Sequence, residues 1–230
     1  MTREYLDQTI NSLRDDVLIL ESMVSEATHK AVMALLNNDK ETAKRVYLND
    51  KVINEKRFQM ENEILIVIAT QQPLATDLRI LASILEIVTE LERMGDYAKK
   101  IAKINLQLTE PGTLIPAAMH LKEMMEITVV MLKKGVKAFV DVDVETARAL
   151  PAEDDKVDEI FNHVTQELLD SMVEKKSTVG LANQIQWAAH NMERMSDRVV
   201  NICERTIFIA TGEMNELEES DDEWVLDLDA

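Results

Sequence analysis

Residues Glu90-Leu-Glu-Arg-Met-Gly-Asp-Tyr-Ala-Lys-Lys-Ile-Ala-Lys-Ile104 occur a second time, as Asn191-Met-Glu-Arg-Met-Ser-Asp-Arg-Val-Val-Asn-Ile-Cys-Glu-Arg205, at an offset of 101 positions. Each copy sets an Asp four residues after a Glu, Glu92 with Asp96 and Glu193 with Asp197, with Arg-Met between them. Four residues is about one helical turn, so each pair projects from one helix face. The apolar skeleton repeats at the same offset. Ile80, Ile84, Ile87, Leu91, Met94, Ala98 and Ile101 match Leu181, Ile185, Ala188, Met192, Met195, Val199 and Ile202. Steps of four and three, in two copies, predict two long helices with the same buried seam.

At about 100° per residue, Glu92 and Asp96 fall roughly 120–170° from the centre of the seam, so they are expected at or near the surface. An acidic pair at this spacing is ordinarily a solvated face, and like charges there cost a few tenths of a kcal/mol. The same unfavourable pair at the same place in both copies points to a carboxylate site for a cation.

The rest of the chain is built the same way. It has 230 residues, 46% hydrophobic and only 4% aromatic, with 5 Gly and 4 Pro, which predicts an all-α protein. Apolar positions from Leu6 to Ala34 predict a first helix over 3–37 that ends at Asn37-Asn38-Asp39. A second is expected over 39–69, broken by Gln71-Gln72-Pro73, and a third from Pro73 to 108 with the proline in its first turn. The second half repeats the plan, with helices expected over 115–140, 142–175 and 178–210. Short loops between antiparallel helices make this a tandem repeat of two three-helix bundles: 1–110, then 113–212, with an acidic tail at 213–230. The repeat implies that each half buries a core of its own. Gly135 inside the fourth helix marks either a kink or close packing.

Net charge is -18, which argues against a nucleic-acid partner and against attraction to anionic lipid. Nine acids and no Lys or Arg lie in 213–230, a composition that predicts disorder or a docking segment around Trp224, Val225, Leu226 and Leu228. Cys203 is the only cysteine and falls on the seam-bearing helix, where a small core residue is expected. No disulfide can form within the chain, and no run of residues reads as a membrane span or signal peptide, so a cytoplasmic location is expected.

An acidic echo precedes each glutamate motif: Asp50-Lys-Val-Ile-Asn54 and Asp154-Asp-Lys-Val-Asp158. The separation is long enough for one helix to rise, turn and come back. Each repeat then gathers a candidate metal cluster, Asp50, Asn54, Glu92 and Asp96 in the first and Asp154, Asp158, Glu193 and Asp197 in the second. All-oxygen ligands suit Mg, Mn, Ca or Fe(II) and not a thiolate zinc site. The neutral amide of Asn54 leaves the first cluster one carboxylate short, so the second is expected to bind the more tightly. The histidines His29, His120, His163 and His190 show no metal spacing among themselves, although His190, three residues before Glu193, is placed to join the second cluster.

Leu91-Glu-Arg-Met-Gly-Asp96, Met192-Glu-Arg-Met-Ser-Asp197 and Gln71-Gln-Pro-Leu-Ala-Thr-Asp-Leu-Arg79 together resemble the PhoU family of phosphate-signalling proteins, over about residues 3–210. The resemblance implies two three-helix bundles and acidic motifs that bind Fe, Zn, Mg or Mn at the bundle surface. It also implies a cytoplasmic, homodimeric regulator. Its partners would be the ATPase subunit of the high-affinity phosphate ABC transporter and a phosphate sensor histidine kinase, in peripheral association with membrane complexes. The response held off would be that to phosphate starvation. Asn54 departs from the motif, where an Asp completes the first cluster, and no proline near Lys176–Val179 matches Pro73.

Two other classes compete with a regulator. A carboxylate-bridged dimetal enzyme would need a Glu-x-x-His pair from each of two helices pointing into a bundle, and the chain has only one such spacing, Glu26-Ala-Thr-His29. A metal-free helical adaptor would carry the acids as inert faces. No glycine-rich phosphate loop or catalytic Ser/His/Asp order is present, so no catalytic residue is expected.

Overall fold

The computed structural model describes residues 3–108, 116–174 and 179–217. Among these residues every regular element is helical: α1 (Arg3–Leu36), α2 (Lys40–Gln71), α3 (Thr76–Gln107), α4 (His120–Asp141), α5 (Val144–Ala149), α6 (Pro151–Glu174) and α7 (Val179–Thr211), with a 3₁₀ turn at Pro116–Met119 before α4. The first bundle is α1–α3 and the second is α4–α7.

Most helix ends follow local chemistry. Asp39 and Asp143 cap α2 and α5, each accepting from the backbone N–H three residues on, Thr42 at 3.0 Å and Thr146 at 3.1 Å. The residue before each cap is left-handed, Asn38 at φ 51° and Val142 at φ 54°, so the turn itself is repeated in both halves. Two expectations fail. Pro73 lies three residues upstream of α3, because Gln72 closes α2 in the left-handed region and donates its N–H to the Ile68 carbonyl at 3.2 Å. The helix expected over 142–175 is broken at Leu150-Pro151. Pro151 has no N–H to continue the first segment, and it suits the first turn of a new one.

The seam is buried as read except at the start of the second copy, where Leu181 is half-buried. Ile84, Ile87, Leu91, Ala98 and Ile101 are fully enclosed, as are Ile185, Ala188, Met192, Met195, Val199 and Ile202. Gly135 marks close packing and not a kink: α4 runs through it unbroken, and a Cβ there would lie 3.0 Å from Val199 Cγ1. Gly95 serves the first bundle likewise, 3.1 Å from Ile53 Cδ1. Cys203 is fully buried, and burial pushes its thiol up to about 12, so it is a packing residue.

The two bundles are not independent. α3 packs along α7 and α1 along α4, and one continuous core runs through both halves. Polar contacts cross the same seam, Arg198 to Glu90 at 3.4 Å and Arg205 to Glu86 at 2.9 Å. Expressed separately, residues 1–110 and 113–212 will be helical by circular dichroism. Each will melt below the intact chain, and mixing them will restore the higher melting temperature. Two halves that match the intact chain's melting when apart would show the shared interface to be energetically empty.

Residues 213–216 are exposed, and Leu217 donates its N–H to Glu204 Oε1 of α7 at 3.0 Å. The remainder of the acidic tail, with Trp224 to Leu228, and the loop residues Pro111, Gly112 and Lys176 lie outside the described residues.

Candidate functional site

The two motifs of each repeat lie on neighbouring helices, one on α2 or α6 and one on the seam helix, but no three of their acids bring ligand atoms within 4.8 Å of one another. They are not solvated faces. Asp50 is 4% exposed, and Glu92, Glu193, Asp154 and Asp197 are half-buried. A helix in a three-helix bundle has two neighbours, so α2 and α6 cover flanks of α3 and α7 that one seam would have left to water.

In the first cluster, two cations stand against the acids, Lys99 from the same helix as Asp96 and Arg57 from α2. Asp50 Oδ2 accepts from Lys99 Nζ at 2.6 Å and from Asn54 Nδ2 at 3.0 Å. Lys99 reaches Asp96 Oδ1 at 3.7 Å as well, and Arg57 stands 4.0 Å from Glu92 Oε1. Burial raises the Glu92 carboxyl above its ordinary range, Arg57 opposes that, and the charges of Asp96 and Asp50 add to it. Lys99 is held protonated, chiefly by its hydrogen bond to Asp50. Asn54 spends its amide on Asp50. Lys99 and Arg57 therefore offset part of the charge of Asp50, Glu92 and Asp96, while Asp50 Oδ1 is left without a hydrogen bond.

The second cluster keeps its charge problem. Asp154 stands in the first turn of α6 and Asp158 one turn on. Glu193 and Asp197 face them from α7. The Asp154 carboxyl is raised to about 7, by burial first, against a hydrogen bond from Ser196, and then by Asp158, Asp197 and Asp155. Glu193 is raised to about 7 as well, by burial and by Asp197, Asp158 and Asp154, with Arg194 opposing. Asp154 Oδ1 and Glu193 Oε2 are buried and make no hydrogen bond. His190 Nδ1 lies 3.2 Å from Glu193 Oε2, close enough for an ion pair but without hydrogen-bond geometry, so it does join the cluster. Arg198 stands 3.8 Å from Asp197 and shares its guanidinium with Glu90. Mutually repelling carboxylates with buried, unpartnered oxygens are the feature of this cluster that a divalent cation would relieve, although the oxygens would have to move closer to share one.

Sequence spacing missed the cations Lys99 and Arg57 and a third group, His120, His163 and Glu167, which the fold brings together. The local signal was a His followed four residues later by a Glu, one turn apart on α6; comparing histidines only with each other passes over it.

The chain matches the family model for the PhoU domain twice, over residues 17–104 and 121–206. It is 31% identical over 215 residues to the phosphate-specific transport system accessory protein PhoU homolog of Streptococcus pneumoniae serotype 4, covering 94% of this chain and 99% of that one. Against the phosphate-specific transport system accessory protein PhoU of Escherichia coli K12 the identity is 31% over 204 residues, with 89% and 84% covered. Crystal structures of PhoU from Pseudomonas aeruginosa and of the phosphate transport system regulatory protein PhoU from S. pneumoniae superpose with TM-scores of 0.85 and 0.86. Their identities are 28% and 29%, and they cover 90% and 92% of this chain and 99% and 100% of theirs.

Proposed function

This chain belongs to the PhoU family, and on that premise we propose that it is an accessory regulator of phosphate-specific transport and makes no covalent change itself. It couples the transporter's ATPase subunit to a phosphate sensor histidine kinase and holds the starvation response off when phosphate is plentiful. The supporting observation is the repeated carboxylate cluster, carried twice on a fold shared over nearly the whole length of relatives that bear the accessory name. Asp154, Asp158, Glu193 and Asp197 would hold a divalent ion, Mn or Fe(II) before Mg or Zn, whose charge offsets theirs. Asp50, Asn54, Glu92 and Asp96 would hold one weakly, against Lys99.

No described helix is long and apolar enough to cross a membrane, so contact with a membrane transporter would be peripheral. Work as an adaptor needs surface apolar groups, and α2 shows Leu48, Val52, Phe58, Leu65 and Ile66 to solvent, a face on which a second copy or a partner helix would dock.

Deleting the gene is expected to switch on phosphate-starvation genes in phosphate-rich medium, read by transcript levels. Genes that stay silent in a strain without paralogues would remove the regulatory reading.

A further inference from the structure

His120, His163 and Glu167 form a compact group that the acidic clusters do not use. His163 and Glu167 stand one turn apart on α6 and so share a face. His120 is the first residue of α4 and enters from the neighbouring helix. His163 Nε2 lies 3.2 Å from Glu167 Oε1, and His120 Nε2 lies 3.7 Å from Glu167 Oε2. The two imidazoles meet edge to face, 5.1 Å between centroids at 81°. One ligand atom from each of the three residues lies within 4.8 Å of the other two.

We propose that His120, His163 and Glu167 are a second, separate metal site of this protein, selective for Zn²⁺. The ligand types carry the choice. Two imidazoles with one carboxylate match borderline ions such as zinc, whereas Mg²⁺ and Ca²⁺ take oxygen sets. Bonds of about 2.0–2.2 Å in a tetrahedron need ligand atoms roughly 3.3–3.6 Å apart. Both contacts to Glu167 are already within about 0.4 Å of that range, and small side-chain rotations bring in the rest. All three side chains are partly open to solvent, His163 the most at 58%, so water can fill the remaining position. The site does not overlap the acidic one: Glu167 follows Asp158 by nine residues on α6, about 14 Å along the helix axis.

The full chain, stripped of metal with a chelator, is titrated with Zn²⁺ against a chromophoric zinc chelator in the presence of excess Mg²⁺, which saturates oxygen-only sites. A zinc class should persist. It should weaken by about 100-fold or more in His120→Ala and in His163→Ala, since losing an outer partner alone costs about 10–100-fold. Asp158→Asn should leave it unchanged, which separates this site from the carboxylate cluster whatever becomes of the proposed function. Imidazole resonances of the unmodified protein provide a reading free of any folding defect. Those of His120 and His163 should shift on adding one equivalent of Zn²⁺ while His29 stays put. Zinc stoichiometry and affinities left unchanged by both histidine substitutions, a shift confined to His190, or no zinc class in the presence of Mg²⁺ would each overturn the proposal.

Discussion

Glu193→Gln is expected to raise the melting temperature of the metal-free protein at pH 8 and, in the same molecule, to remove its tighter class of Mn²⁺ or Fe²⁺ site. Burial and the neighbouring acids lift the Glu193 carboxyl from 4.5 to about 7. A carboxyl whose pKa is higher folded than unfolded holds its proton more firmly in the native state. Its contribution is full below the unfolded value and is lost as pH rises through about 7. Asp154, raised to about 7 from 3.8, adds to the same slope. The chelated wild type should therefore melt progressively lower from pH 5 to pH 8, and the glutamine variant should lose less. At about 1.4 kcal/mol per pKa unit, and with Glu193 still 23% exposed, the gain at pH 8 is about 2 kcal/mol. That is about 4–8 °C for a chain of this size. With metal present the order reverses, because the wild type gains stability from the bound ion and the variant does not. Titration of the wild type should show two unequal classes of site. Asp158→Asn should weaken the stronger and Asn54→Asp should strengthen the weaker, since one charge about 4 Å from a divalent ion is worth on the order of a few kcal/mol at an effective dielectric near 20. A melting temperature independent of pH in the chelated protein, together with equal site affinities, would leave the acids as structural groups.

Lys99→Met is expected to destabilise the metal-free protein by about 2–3 kcal/mol and to turn the first cluster into a cation site. Asp50 is 4% exposed, and its Oδ1 already has no hydrogen-bond partner, so the ammonium at 2.6 Å from Oδ2 is its principal compensation. Removing one member of a buried pair costs about 3–5 kcal/mol, and the lower figure follows from Lys99 being about one-third exposed. The methionine keeps the aliphatic stem and removes the charge. A divalent ion should then do what the ammonium did, bridging Asp50, Glu92 and Asp96, and Mn²⁺ should recover most of the lost melting temperature. The double variant with Asn54→Asp should bind more tightly still. A Lys99→Met protein as stable as the wild type, or one that Mn²⁺ does not rescue, would show that Lys99 is not the internal counterion of this cluster.

Much of this was open to inspection in the primary structure. The 101-residue repeat, the seam from Ile80 to Ile101 with its match from Leu181 to Ile202, and the two motif pairs all depend on the periodicity of one helix or on its duplication. Such signals are local: a residue's face is set by its neighbours three and four positions away, whatever packs beside it. The convergence of Asp50 on Glu92 and of Asp154 on Glu193 followed from hairpin geometry alone. Pro151 was legible as well: its missing N–H ends one helix and its fixed φ suits the first turn of the next.

Lateral neighbours belong to the tertiary structure. Spacing set Lys99 one turn beyond Asp96, but did not say that it would reach Asp50 on α2, that Arg57 would stand beside Glu92, or that one carboxylate oxygen of the first cluster and two of the second would be left without hydrogen bonds. Nor did it say that α3 would lie along α7 and merge two bundles into one core, or that His120 would meet His163 across 43 residues. The chain by itself determined the helices, their buried stripe and the acids each turn presents, because helical periodicity is written within a few residues. Which charges those acids meet, and how far water reaches them, depends on helices distant in sequence and was decided only when they packed.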